Sequence, residues 1–182
     1  MEKQLFFKRE AIMQITLHLF GKPSLKIDGQ SIEISLKKSE AMLYYIAFEK
    51  RVTRDEVVSI IWCDIEQQTA KKNLRNSLYR LKKDLDAELF FCPNKHVIEL
   101  GSIPSLSVDV DQDDDYFLSH YKGKFIENFT LRESEEFERW RQSVETSLNQ
   151  KYLKLAAIYV KVLLEEQNYD EALAIAGVMR KI

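Results

Sequence analysis

The chain has 182 residues, 45% of them hydrophobic and 31% charged, enough for one domain or two small ones of ordinary globular composition. A formal net charge of −2 hides an asymmetry, because residues 1–105 carry +3 and residues 106–182 carry −5, which suits two halves with different partners. No apolar run reaches the ~18 residues of a membrane span, and the interleaved charges of residues 1–13 do not form the apolar region of a signal peptide. Cys63 and Cys92 lack zinc-like spacing. Cys63 follows Trp62 in an apolar stretch and reads as a buried, reduced thiol, so the expected compartment is the cytoplasm, with no membrane partner.

Ile15, Leu17 and Leu19 alternate with Thr16 and His18, which predicts a strand. Gly21 and Pro23 punctuate it. Leu25 and Ile27 resume the alternation, Asp28-Gly29 is a hairpin turn signal, and Ile32, Ile34 and Leu36 continue the pattern. Three short strands with tight turns predict a small antiparallel sheet with one wet face.

The period then changes. Residues 39–50 carry a broad apolar face and predict a helix. Thr53 and Glu56 have capping-box spacing ahead of a second helix. A third helix is expected from a Thr69 cap to about Leu85, with Ala70, Leu74, Leu78, Leu81 and Leu85 as its buried stripe. Residues 88–92 and 96–100 then flank Pro93, Asn94 and Lys95 as a hairpin with a basic tip. Residues 101–107 are turn-rich and read as the boundary between a domain at 1–103 and a second at 104–182. The rest reads as helical: residues 109–120, a turn at Lys122-Gly123-Lys124, a helix from about Ser134 to Leu148 or beyond, and two more over 152–182 broken at Gln167-Asn168.

The third helix is the informative one. Between Thr69 and Lys83 lie Lys71, Lys72, Arg75, Arg80, Lys82 and Lys83 with no acid among them. Opposite the apolar stripe fall Lys72, Arg75, Asn76 and Tyr79, with Lys71, Arg80 and Lys83 at the flanks. A helix fits the major groove, where Arg and Asn form paired hydrogen bonds to base edges, and flanking cations neutralise phosphates. The tip at Asn94, Lys95 and His96 is placed to touch the neighbouring backbone or minor groove. A charged helix face is usually only solvated. The missing acids and the basic hairpin that follows favour double-stranded DNA as the partner here.

Leu17-His18-Leu19-Phe20-Gly21, Lys37-Lys38-Ser39-Glu40-Ala41, Arg54-Asp55-Glu56-Val57 and Asn73-Leu74-Arg75 through Leu78-Tyr79-Arg80-Leu81-Lys82-Lys83 together resemble the OmpR/PhoB-like winged helix of SARP-type (antibiotic-regulatory-protein) activators. That resemblance implies that the third helix enters the major groove and the hairpin is a wing. Its recognition positions would be Thr69, Lys72, Arg75, Asn76, Tyr79 and Arg80. Lys82-Lys83 stands where arginines are commoner, which keeps phosphate binding and weakens bidentate contact.

Tyr121, Gly123 and Phe125, followed by Phe137 and Trp140, resemble the bacterial transcriptional activator domain of the same family, and Asn168-Tyr169-Asp170-Glu171-Ala172 resembles a tetratricopeptide repeat. Tyr121, Phe125, Phe129, Phe137 and Trp140 are expected to join the turn to the long helix as core. Ala172 and Ala176 are expected where two helices approach closely. Repeats stack, and Leu173, Ile175 and Met179 have no evident neighbour, so the chain is expected to be a piece of a longer protein or to dock its last helix on a partner. The fold class expected is therefore mainly α with small antiparallel sheets, a winged helix followed by a tetratricopeptide-like helical domain. The resemblance implies an activator that dimerises on DNA or contacts RNA polymerase.

Enzyme chemistry finds no support. His18, His96 and His120 lack metal-ligand spacing, and no glycine-rich phosphate loop or Gly-x-Ser-x-Gly is present. Asp109, Asp111 and Asp113–Asp115 lack the glycine and distal glutamate of a calcium loop and read as a helix start and solvated linker. No cofactor is expected. A second reading stays open, a protein-interaction scaffold whose winged helix binds no DNA.

Overall fold

The computed structural model describes residues 13–101 and 106–182. Strands β1 (Ile15–His18), β2 (Ser24–Ile27) and β3 (Gln30–Ile32) form an antiparallel meander. Asp28 and Gly29 both hold positive φ, 49° and 80°, as the two-residue turn between right-twisted strands requires. The alternation through Leu36 outlasts the strand, which stops at Ile32. β2 begins directly after Pro23, which has no N–H to extend the ladder.

Helix α1 (Lys37–Glu49) buries every residue from Ala41 to Ala47. An unforeseen strand, β4 (Arg51–Thr53), leads into α2 (Arg54–Ile61). Thr53 and Glu56 form the expected capping box in both directions. Then come α3 (Gln67–Asp84) and the hairpin β5 (Phe90–Phe91) and β6 (Val97–Leu100), whose sheet has the order β4-β6-β5. Cys63 is exposed, against the buried thiol expected of it. Helix α2 ends at Ile61, Trp62 fills the buried place at 3% exposure, and the chain turns outward after it.

Strand β7 (Leu106–Val108) returns to the first sheet and pairs parallel with β1, giving the order β3-β2-β1-β7. Leu106 and Ser107, read as part of a turn-rich join, are thus sheet. The expected division between residues 103 and 104 lies outside the described residues. Asp109 follows in a single 3-10 turn, Asp109–Asp111. It is not solvated linker. At 5% exposure it accepts hydrogen bonds from the N–H groups of Leu19 (2.9 Å) and Phe20 (2.8 Å). Burial raises its carboxyl above the ordinary carboxylate range, and the N–H groups with nearby His18 pull against that.

The remainder is helical. Helix α4 (Asp114–His120) is capped by Asp113. Helix α5 (Glu135–Glu165) is one uninterrupted helix, followed by α6 (Tyr169–Met179). The helix expected from about Ser134 to Leu148 or beyond and the one expected from Tyr152 are thus a single helix. Asn149 lies on the inner side of the helix and accepts the Tyr121 hydroxyl at 2.6 Å. Gly123 has φ 85°, and a Cβ there would meet Ile182 at 2.8 Å, so the turn needs glycine on two counts. In α6, Ala172 and Ile175 are buried against α5 and Ala176 is exposed. Ile175 therefore has the neighbours that the sequence did not reveal. Leu173 remains 70% exposed.

The fold is mainly α with small sheets, a winged helix followed by a helical half. One core runs through both, from Ile15, Leu43 and Ile61 to Phe125, Phe137 and Val144, and a second gathers Phe117, Tyr121, Tyr152 and Ala156. The expected aromatics are core, and they also join the halves. Tyr44 meets Phe129 (5.3 Å), Tyr45 meets Trp140 (5.0 Å) and Phe48 meets Phe125 (5.3 Å), mostly edge to face. No helix among the described residues is long and apolar enough to cross a membrane.

Candidate nucleic-acid interface

Helix α3 begins three residues earlier than expected. Its cap is Glu66, whose carboxylate accepts the N–H groups of Gln68 and Thr69, both at 2.9 Å. Those bonds hold the Glu66 carboxyl below its ordinary range. Thr69 is therefore in the first turn, and its hydroxyl donates to Glu66 at 3.3 Å. Ala70, Leu74, Leu81 and Leu85 are buried, and Leu78 is only partly covered. Ser77 takes the buried place beside them. It pairs with Ser39 of α1 at 3.0 Å and, with the apolar stripe, sets which face of α3 turns outward.

With that orientation set, Lys72, Arg75, Asn76, Tyr79, Arg80 and Lys83 are all exposed, Tyr79 at 70%. The cations divide by what faces them. Lys71 pairs with Asp55 at 2.8 Å and Lys82 with Glu88 at 2.9 Å. The Lys71 contact holds the Asp55 carboxyl below its usual range. Lys72, Arg75, Arg80 and Lys83 have no acidic partner among the described residues.

The hairpin stands beside α3. Its tip is folded by Asn94, whose Oδ1 accepts the N–H groups of His96 (2.8 Å) and Val97 (3.1 Å). That side chain is committed to the turn, while Lys95 and His96 project as exposed residues. A notch of about 260 Å³ between tip and helix brings Lys71, Arg75, Lys95 and His96 to one opening. On the other flank, Asn76 and Arg80 share a groove with Lys37 and Lys38.

Arg54 was not foreseen. It opens α2, its N–H donates to the His96 carbonyl at 2.7 Å, and its side chain lines the same notch. The sequence signal was available, because the residue after the Thr53 cap must sit at a helix start, but its neighbours 38 or more residues away were not. Lys37 and Lys38 were likewise overlooked, and Lys38 is partly neutralised by Asp64 at 3.0 Å.

An exposed helix braced by two others, with a three-stranded hairpin sheet at its side, defines a winged helix, here carrying a helical half behind it. No family model matches the chain, and no curated protein matches it. Among solved structures, EmbR of Mycobacterium tuberculosis, in complex with a low-affinity phosphopeptide, matches over 92% of this chain with a TM-score of 0.56 at 13% identity. At that identity the likeness is one of fold. The chain spans 54% of the EmbR chain.

Proposed function

We propose that this chain is a sequence-specific DNA-binding transcription regulator. Helix α3 lies in the major groove, and the β5–β6 hairpin rests on the adjacent backbone or minor groove. The observation that carries this reading is the set of four exposed cations on α3, Lys72, Arg75, Arg80 and Lys83, that have no acidic partner among the described residues and lie next to a basic wing tip. Lone cations on a solvated face collect glutamates where they only support a helix. Cations kept free of acids suit phosphates and base edges. Arg75 and Asn76 read bases, Tyr79 and Thr69 add groove contacts, and Lys72, Arg80 and Lys83 hold phosphates. Lys71 and Lys95 hold the strand nearest the wing, with His96, while Asn94 shapes the tip.

The fold shared with EmbR supports a regulator of SARP type, and activation is the sense the sequence resemblance favours. The helical half serves dimerisation on DNA or contact with RNA polymerase. Ile158 and Leu173, 67% and 70% exposed, support a protein-contact role for it. The division of labour places the DNA unit in residues 1–103 together with β7, and the contact unit after it.

Binding to a site selected from random duplexes, measured across salt concentrations, tests the reading. Arg75→Ala should lose about 1–3 kcal/mol on the selected site and less on scrambled DNA. Lys83→Ala should weaken both alike and lower the salt slope by about 0.9. Unchanged binding in both variants would show that α3 is not the DNA face.

A further inference from the structure

Beside the DNA face, between α3 and β5, lies a second cleft of about 260 Å³. Its floor is apolar: Leu81 and Leu89 are buried, and Leu78 and Phe90 are partly covered. Its edge carries three cations, Arg54, Arg75 and Lys82, and one acid, Glu88, which Lys82 pairs at 2.9 Å; Arg54 and Arg75 have no acidic partner among the described residues. Arg54 is the unusual member. Its guanidinium donates one hydrogen bond, to the Cys92 sulfur at 3.3 Å, and its Nε is buried without an acceptor among the described residues. A half-buried guanidinium normally meets a carboxylate or phosphate, and a thiol is a weak substitute.

We propose that this cleft binds a small amphipathic carboxylate, with its chain on Leu78, Leu89 and Phe90 and its anionic head on Arg54 and Arg75. A DNA phosphate would satisfy the cations and leave the apolar floor wet, whereas an aliphatic or aromatic acid satisfies both. Such a mixture of apolar lining and a few convergent polar groups is how small-molecule sites are built. Arg75 and Tyr79 line the cleft and also belong to the proposed DNA face. On that reading, a bound acid competes with DNA and makes the regulator responsive to a metabolite.

Cys92 stands exposed at the mouth of the cleft and Cys63 is exposed elsewhere, so one chain carries both reporter and control. Alkylation of the two thiols is followed by mass spectrometry on the full chain without DNA, so the result is independent of whether the chain binds DNA. Octanoate at ten times its dissociation constant should slow Cys92 on the order of tenfold, by mass action, and leave Cys63 unchanged. Octanol and inorganic phosphate should each protect Cys92 far less. Arg54→Gln should abolish the octanoate effect. So should Tyr79→Glu, which puts a negative charge at an exposed position that folding does not need. No slowing of Cys92 by octanoate up to its solubility limit, protection by octanol or by phosphate equal to that by octanoate, equal slowing of Cys63, or protection that survives both substitutions would each overturn the proposal.

Discussion

Helices α3 and α5 use the same cations in opposite ways. On α5, Arg139 is tied to Glu135 and Glu136, and Arg141 to Glu138 and Glu145. Arg141 also donates to the Phe125 carbonyl at 3.2 Å, and the Phe125 N–H donates to Glu145 at 2.9 Å. Arg141 thus holds a loop to the helix, and Arg139 is neutralised within the helix itself. On α3, Lys72, Arg75, Arg80 and Lys83 hold nothing within the described chain. The difference lies in whether the chain supplies acids to its cations, and the count of lysines and arginines matters less; the proposed DNA face rests on that difference.

The contrast can be broken at several points. The largest effect belongs to the join that α5 serves. Phe137 is fully buried against Phe129 and Trp140, so Phe137→Ala should lower stability by about 3–5 kcal/mol in urea denaturation. A much smaller loss would show that the helical half is not packed around Phe137. Next is Asp109→Ala, which strips the Leu19 and Phe20 N–H groups of their acceptor and should cost roughly 2–4 kcal/mol. The Asp109 carboxyl is raised by burial. Its contribution is therefore full below the ordinary carboxylate range and is lost as pH rises through the raised value. Asp109→Asn should flatten that part of the stability profile, and an unchanged profile would assign the slope to other groups.

A matched pair then tests the two helices directly. Arg141→Ala should lose about 1–3 kcal/mol of stability with DNA affinity unchanged. Arg75→Ala should stay within about 0.5 kcal/mol in stability and lose DNA affinity. If both variants lose stability alike, the distinction between structural and free cations fails. The smallest effect is expected at exposed Arg139, where alanine should change stability by less than about 0.5 kcal/mol and DNA binding not at all.

Much of the fold was legible because its signals are local. The Thr53–Glu56 box, the Asp28-Gly29 turn and the period of α1 are each written within a few residues. The outward face of α3 was legible for the same reason. What escaped depends on partners far along the chain. β7 is a strand only because β1 lies beside it, and Asp109 is buried only because Leu19 and Phe20, 90 and 89 residues away, present their N–H groups to it. The Glu66 cap escaped because Thr69 is the better local candidate by residue type, and the side chain that reaches two free N–H groups is decided by the chain's entry path. Asn94 read as a contact residue, yet the turn itself takes its carbonyl.

Exchange of the helical half by gene fusion is constrained by β7. A junction at residue 103 would discard that strand, bare one flank of β1 and take Asp109 from the Leu19 and Phe20 amides. A junction after Asp111 keeps all three. Even then the incoming half must supply a segment like that at Phe125, which bridges Phe20 and seats its aromatic ring on Phe48. Fusions that pair this winged helix with a different helical half should therefore place the splice point downstream of Asp111, with an aromatic residue travelling alongside as part of the cassette.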